Sequence, residues 1–196
     1  MRLWPYPYIL IGMRVISGIY GGRTLRSPSG TRTRPTSDRL RETLFNVLAP
    51  LITEETRFLD LCAGTGAIGI EAISRGAVSV TFVDKSRRAC GLIEENLDQL
   101  GIPESRTEVV CAAAGKFLRK NPELEWDIIF FDPPYSSDYA AVLALFGEGQ
   151  ANYLTPEGLL VVEHHAKTVI PDAVSEIRRW RLLKQGETRL SFFERN

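Results

Sequence analysis

Five short apolar runs, each separated from the next by an amphipathic stretch, constrain this chain more than any other feature. They are FLDL (58–61), VTFVD (80–84), TEVVC (107–111), WDIIFFD (126–132) and GLLVVEH (158–164). Runs this apolar are strands buried on both faces, and the stretches between them repeat apolar residues at helical spacing. The pattern therefore predicts a parallel sheet with helices on both faces. Helix ends are marked: Ser86 opens a helix that turns Ala89, Leu92, Ile93, Leu97 and Leu100 inward, and Gly101 closes it. A further helix is expected around Val174 to Arg179. The tail WRLLKQGETRLSFFERN then reads as two strands joined at Gln185, Gly186 and Glu187. Together these give a mostly parallel α/β sheet of seven strands with a C-terminal antiparallel hairpin, an ending not expected of an all-parallel dinucleotide fold.

The N-terminal part differs in character. MRLWPYPYILIG (1–12) is broken by Pro5 and Pro7 and has no small-residue cleavage site, so it reads as neither a signal peptide nor a membrane span; Met13 is an alternative start, testable by intact mass. Residues 17 to 35 are rich in turn formers and suggest one short hairpin and a loop. Thr36 or Ser37 can cap a helix with Leu40, Leu44, Val47, Leu48 and Leu51 on one face. We expect one compact domain overall, with residues 1–56 as leader, basic arm and helix, and 57–196 as the catalytic body.

The 24 basic and 24 acidic residues cancel, yet the distribution is uneven. Residues 1–45 hold eight arginines (Arg2, Arg14, Arg23, Arg26, Arg32, Arg34, Arg39, Arg41) against Asp38 and Glu42, a net +6 that the remainder balances at −6. A cationic arm on an acidic body fits a polyanionic partner such as nucleic acid. Cys62, Cys90 and Cys111 make neither a disulfide framework nor a metal set, which implies a reducing, cytoplasmic setting and no metal.

FLDLCAGTGAIGIEA places Asp60 near the end of the first strand and Gly64, Gly66 and Gly69 across the turn into a helix. Alone, this glycine run fits a nicotinamide dinucleotide equally well. Asp60, however, would repel a pyrophosphate and welcome an ammonium, which favours a cationic sulfonium cofactor. Asp84, at the end of VTFVD, stands where a carboxylate grips ribose hydroxyls in doubly wound folds, so an adenosine is expected.

Asp132-Pro133-Pro134-Tyr135 follows the strand WDIIFF at the carboxyl edge, where ligands bind in such sheets. The Asp132 carboxylate and the Pro133 carbonyl can accept hydrogen bonds from a planar NH2 group, aiming its lone pair at a methyl carbon. The two prolines hold that carbonyl outward, and Tyr135 offers a face for a flipped base. No strong base is needed, because the amine becomes acidic once methylated. His164 and His165 lack metal-ligand spacing and read as structural or solvent-facing. Cys62 reads as a packing residue with nothing to activate it, and Glu163 as a strand-end residue.

These motifs resemble Rossmann-like class I methyltransferases of the amino-group type. RVISGIYGGRTL and RTRPTSDRLRETLFNVL further resemble bacterial 16S ribosomal RNA guanine-N2 methyltransferases of the RsmD type, over nearly everything from Met13 onward. The resemblance implies S-adenosylmethionine as cofactor, held by Asp60, Ala63, Gly64, Gly66 and Asp84. It implies Asp132, Pro133, Pro134 and Tyr135 as the catalytic turn, and a guanine of small-subunit RNA, assembled or assembling, as substrate. Arg34 would bind that RNA, with Arg23, Thr36, Arg39 and Arg41 of the same arm. One position departs from the pattern: in VVCAAAGKF, Ala113 stands where such enzymes often have Asp or Asn against the adenine amine, leaving that contact to backbone at Ala113 and Ala114.

Rival readings are an amino-methyltransferase acting on adenine or cytosine in nucleic acid or on a protein glutamine, and a non-catalytic RNA-binding assembly factor. Asp132 in place of Asn leans toward guanine, and the chain has little room for a DNA target-recognition domain. The absence of a spare amphipathic stretch leans toward a monomer.

Overall fold

The structure is a computed structural model that describes residues 13–27, 38–134, 138–147 and 152–195. The five apolar runs form β1 (Arg57–Leu61), β2 (Ser79–Asp84), β3 (Thr107–Cys111), β4 (Trp126–Phe131) and β5 (Leu154–His165). Between and before them lie α1 (Asp38–Leu48), α2 (Ala67–Ser74), α3 (Arg87–Leu100), α4 (Ala114–Lys120) and α5 (Tyr139–Leu143). The ends of α3 are as the sequence indicated: Ser86 accepts a hydrogen bond from the Ala89 N–H, and Gly101 takes the left-handed conformation at φ 68°.

One expectation is corrected at the C-terminus. Val174 to Arg179 is not helical: β6 (Ala173–Val174) turns back through Ser175, at φ 50°, into β7 (Ile177–Gln185), which pairs along its length with β8 (Thr188–Arg195). Propensity loses here because pairing with β8 satisfies the backbone and buries Ile177. The short β6 makes the sheet eight-stranded rather than seven, in the order β3-β2-β1-β4-β5-β8-β7-β6. β1 to β5 pair in parallel, and β8 inserts antiparallel beside β5, so the expected hairpin is present.

Strand side chains alternate between two apolar layers. One holds Phe58, Phe82, Phe130, Val161 and Phe192 under α1, α2 and α3; the other holds Leu59, Val83, Phe131, Val162 and Phe193 with Phe117 of α4 and Leu143 of α5. The N-terminal hairpin joins the first layer through Val15 and Leu25. It closes with Val15 N–H donating to Arg23 O and Gly22 N–H to Val15 O, both at 2.9 Å. Glu71 of α2, fully buried, fastens it by accepting from the Ile16 and Ser17 N–H groups at 2.6 and 3.0 Å. Among the described residues no helix is long and apolar enough to cross a membrane.

Candidate active site

The sheet order reverses at β1, which lies between β2 and β4, and the carboxyl ends of these strands converge there. Three features build the floor. Asp60, 1% exposed, accepts the Gly69 N–H at 2.9 Å, a bond that ties the end of β1 to the first turn of α2. Burial pushes its carboxyl up to about 7, against the lowering effect of the Gly69 bond and with a small further rise from Asp84. The site thus holds a carboxyl that gains ionisation when a cation arrives beside it.

The turn after β1 is wound tightly. Cys62, Gly64 and Gly66 all have positive φ (67°, 56° and 76°), and the Cys62 and Ala63 N–H groups both donate to Val83 O. A Cβ on Gly64 would have no atom of the described residues within 4 Å, so this side of the turn is open to close approach by a ligand. Gly69 is needed for a different reason: a Cβ there would lie 2.3 Å from the Phe82 ring, so the glycine lets α2 press onto β2. Cys62 is pushed up to about 12 by burial and then by Asp84, Asp132 and Asp60, so its thiol stays neutral, as its reading as a packing residue requires.

Asp84 ends β2 half-buried, with Oδ2 accepting the Gly64 N–H at 3.0 Å and Oδ1 the Ser86 N–H at 2.8 Å. It therefore shapes the glycine turn and caps the start of the α3 region. Each oxygen keeps a lone pair for a hydroxyl. Next to it, where Ala112 N–H donates to Asp84 O, Ala113 is exposed and precedes α4, and Ala114 is buried at its first position.

Asp132 follows β4, and its N–H donates to Leu61 O at 3.3 Å, which brings the Asp-Pro-Pro turn beside the glycine turn. Burial first, then Glu163, then Asp60, hold its carboxyl well above the usual range. Pro133 is buried and Pro134 exposed. The Pro133 carbonyl is not wholly free for a substrate amine: it accepts the buried Tyr139 hydroxyl at 3.4 Å, leaving one lone pair. Tyr135 lies outside the described residues.

The sequence marks Glu163 only as a strand-end residue, yet it is 5% exposed and faces Asp132 electrostatically. Phe131 pairs with Val162, so the next residues, Asp132 and Glu163, leave the sheet side by side on the face of Phe130 and Val161. The signal was present in GLLVVEH, an acid following a buried run just as Asp132 follows WDIIFF; only the register shows that the two are neighbours. His164 bonds through Nε2 to Ser191 Oγ at 2.9 Å, and burial lowers its basicity, in keeping with a structural role.

The arm is less uniform than its charge suggests. Arg39 is exposed at the start of α1, and Arg23 is exposed with Nη2 3.4 Å from Gln99 O. Arg26 is bound to Glu95 at 2.9 Å. Arg41 corrects the expectation that it meets RNA: it is 0% exposed, bonded to Asp38 at 2.8 Å, because its helical position points it into the sheet-facing side with Leu40, Leu44 and Phe45. Arg34 and Thr36 lie outside the described residues, as do residues 1–12 and the candidate caps Thr36 and Ser37.

Comparison with known proteins agrees with this geometry. The family profile described as conserved hypothetical protein 95 matches residues 13–194. YlbH of Bacillus subtilis is 36% identical over 186 residues, spanning 93% of this chain and 99% of its own. Ribosomal RNA small subunit methyltransferase D of Haemophilus influenzae is 35% identical over 179 residues, 90% of this chain and 89% of the relative. The solved structure of yhhF from Escherichia coli superposes with a TM-score of 0.82 at 31% identity, covering 94% of this chain and 98% of the other. With its methyltransferase-type sheet, glycine turn and Asp-Pro-Pro turn, the chain belongs to the conserved hypothetical protein 95 family, the RsmD-type methyltransferases.

Proposed function

We propose that this protein transfers a methyl group from S-adenosylmethionine to the exocyclic N2 amine of a guanine in 16S ribosomal RNA of the small subunit. The observation that carries the reading is the meeting of Asp132 and the Asp60 turn at one sheet edge, where the Asp132 N–H donates to Leu61 O. Relatives named as small-subunit ribosomal RNA methyltransferases support the substrate class.

The residues present suit the cofactor. Its ammonium would ionise Asp60 and remove the cost of that buried acid, Gly64 leaves room for close approach, and Asp84 offers lone pairs to the ribose. Ala63, Gly66, Ala113 and Ala114 complete the lining by backbone. When bound, the cofactor supplies an electrophilic methyl group on a sulfonium.

Asp132 orients the amine. Its carboxylate accepts one N–H, and the remaining lone pair of the Pro133 carbonyl accepts the other, so the nitrogen lone pair faces the methyl group. Burial beside Glu163 raises the affinity of Asp132 for a proton, which equips it to receive the one the amine releases. Tyr135 stacks the flipped base, and residues 1–56, with Arg23, Arg34, Thr36 and Arg39, present the RNA to the 57–196 body.

The test is transfer of labelled methyl groups to small subunits isolated from cells lacking the enzyme, comparing wild type with Asp132→Ala. Label in N2-methylguanosine of 16S RNA that the variant loses is the expected result. Label in DNA or protein, or none at all, overturns the substrate assignment.

A further inference from the structure

β7 reads IRRWRLLKQ, with four cations and no acid in nine residues. Because β6 is only two residues long and pairs with Ile177 and Arg178 alone, Arg179–Gln185 form an outer strand of the sheet among the described residues. The ladder to β8 slips between Arg179 and Arg181, so Trp180 is the extra residue of a bulge, a device that re-aims a side chain. Its ring packs one way on Phe192, centroids 6.0 Å apart, and is still 44% exposed; the Arg181 guanidinium lies 5.8 Å from its centroid. Of the cations in this corner, Arg179 is bound to Asp172 and Arg195 to Glu176, whereas no ion pair engages Arg178 or Arg181 among the described residues; Glu194 stands opposite Arg178 in the ladder.

The patch lies on the same side of the sheet as the candidate active site. Arg181 pairs with Phe192, Phe192 with Val161, Val161 with Phe130, and Phe130 with Asp60, and the phenylalanine and valine side chains of this rung share one apolar layer. Three strand spacings of about 4.8 Å separate β7 from β4, roughly 14 Å. Asp132 lies two residues beyond the Phe130 rung, so about 16 Å separate it from Arg181, which is within reach of an RNA segment adjoining a base held at Asp132.

We propose that Trp180 and Arg181, with Arg178, form a second contact surface for the RNA substrate: the indole stacks a base flanking the target and the guanidinium groups pair with its phosphates. The proposal rests on the ribosomal RNA reading above. Charge on an outer strand also keeps sheets from pairing edge to edge, but that role accounts for the arginines and not for a solvent-facing tryptophan raised on a bulge. Stacking aromatics beside cations are the ordinary means of holding single-stranded RNA.

The experiment measures steady-state methylation of small subunits lacking the modification by the full chain, as wild type, Trp180→Ala and Arg181→Gln, from low to moderate salt. Binding of S-adenosylmethionine and thermal unfolding serve as controls. Both variants are expected to raise KM for subunits about tenfold or more with kcat within twofold, and Arg181→Gln to reduce the log–log salt slope by about one. Arg181→Gln keeps the test decisive if Trp180→Ala folds poorly. Unchanged KM and salt slope in Arg181→Gln, or self-association as its only new property, overturns the second surface. Failure of wild type to methylate the RNA overturns the parent reading and this one with it.

Discussion

Asp60→Asn should make the cofactor-free protein more stable, by an amount that grows with pH. The carboxyl is buried and held at about 7 in the fold against 3.8 as its ordinary value. Between these values the folded state binds more protons than the unfolded one, so wild-type stability falls as pH rises through the window and levels off above about 7. The full difference of some three units corresponds to about 4 kcal/mol at pH 8, and to about 2 kcal/mol at pH 5, where the unfolded carboxyl is already ionised but the folded one is not. Asparagine does not titrate, and its side-chain oxygen can still accept the Gly69 N–H, so the local fold is retained. Urea unfolding of both proteins at pH 5, 6, 7 and 8 measures the difference directly. The variant should gain roughly 2–3 kcal/mol relative to wild type between pH 5 and pH 8, and should lose affinity for S-adenosylmethionine, because the carboxylate proposed to meet its ammonium is gone. A gain independent of pH, or a variant less stable than wild type at pH 8, would refute the argument that the site stores the cost of a buried acid until a cation arrives.

Other substitutions test the scaffold. Gly69→Ala places a Cβ 2.3 Å from the Phe82 ring and should cost roughly 1–3 kcal/mol, read as a fall in Tm of about 2–4 °C per kcal/mol; an unchanged Tm would mean that α2 is not seated on β2 as described. Glu71→Ala removes the acceptor of two hairpin N–H groups and the partner of Arg75, and should release residues 13–25 to rapid amide exchange while the β1–β5 core stays protected. Arg41→Met should leave the salt dependence of RNA binding unchanged, because the guanidinium is buried, whereas Arg39→Gln should reduce it.

The elements of the candidate site were legible because each is local. A carboxylate at a strand end, glycines in the following turn and an Asp-Pro-Pro after a buried run are fixed by neighbours in sequence, and all fall at strand ends in the structure. What sequence could not supply was spatial: that Glu163 stands beside Asp132, that Tyr139 occupies one lone pair of the Pro133 carbonyl, and that Arg41 is turned inward. Each depends on register or on which helix face meets the sheet.

By itself, then, the chain's pattern of buried runs, glycines and acids determined the layered α/β sheet, the strand-end positions of Asp60, Asp84 and Asp132, and the caps of α3, since these follow from periodicity and short-range backbone chemistry. Tertiary structure decided the rest. The segment Ala173–Arg179 became two strand pieces about a turn because β8 offered Ile177 onward a ladder to complete and β6 then folded back on β7, and the β7–β8 ladder, through its bulge at Trp180, set the exposed face of β7. Pairing between distant strands is a property of the assembled sheet, and no local propensity encodes it.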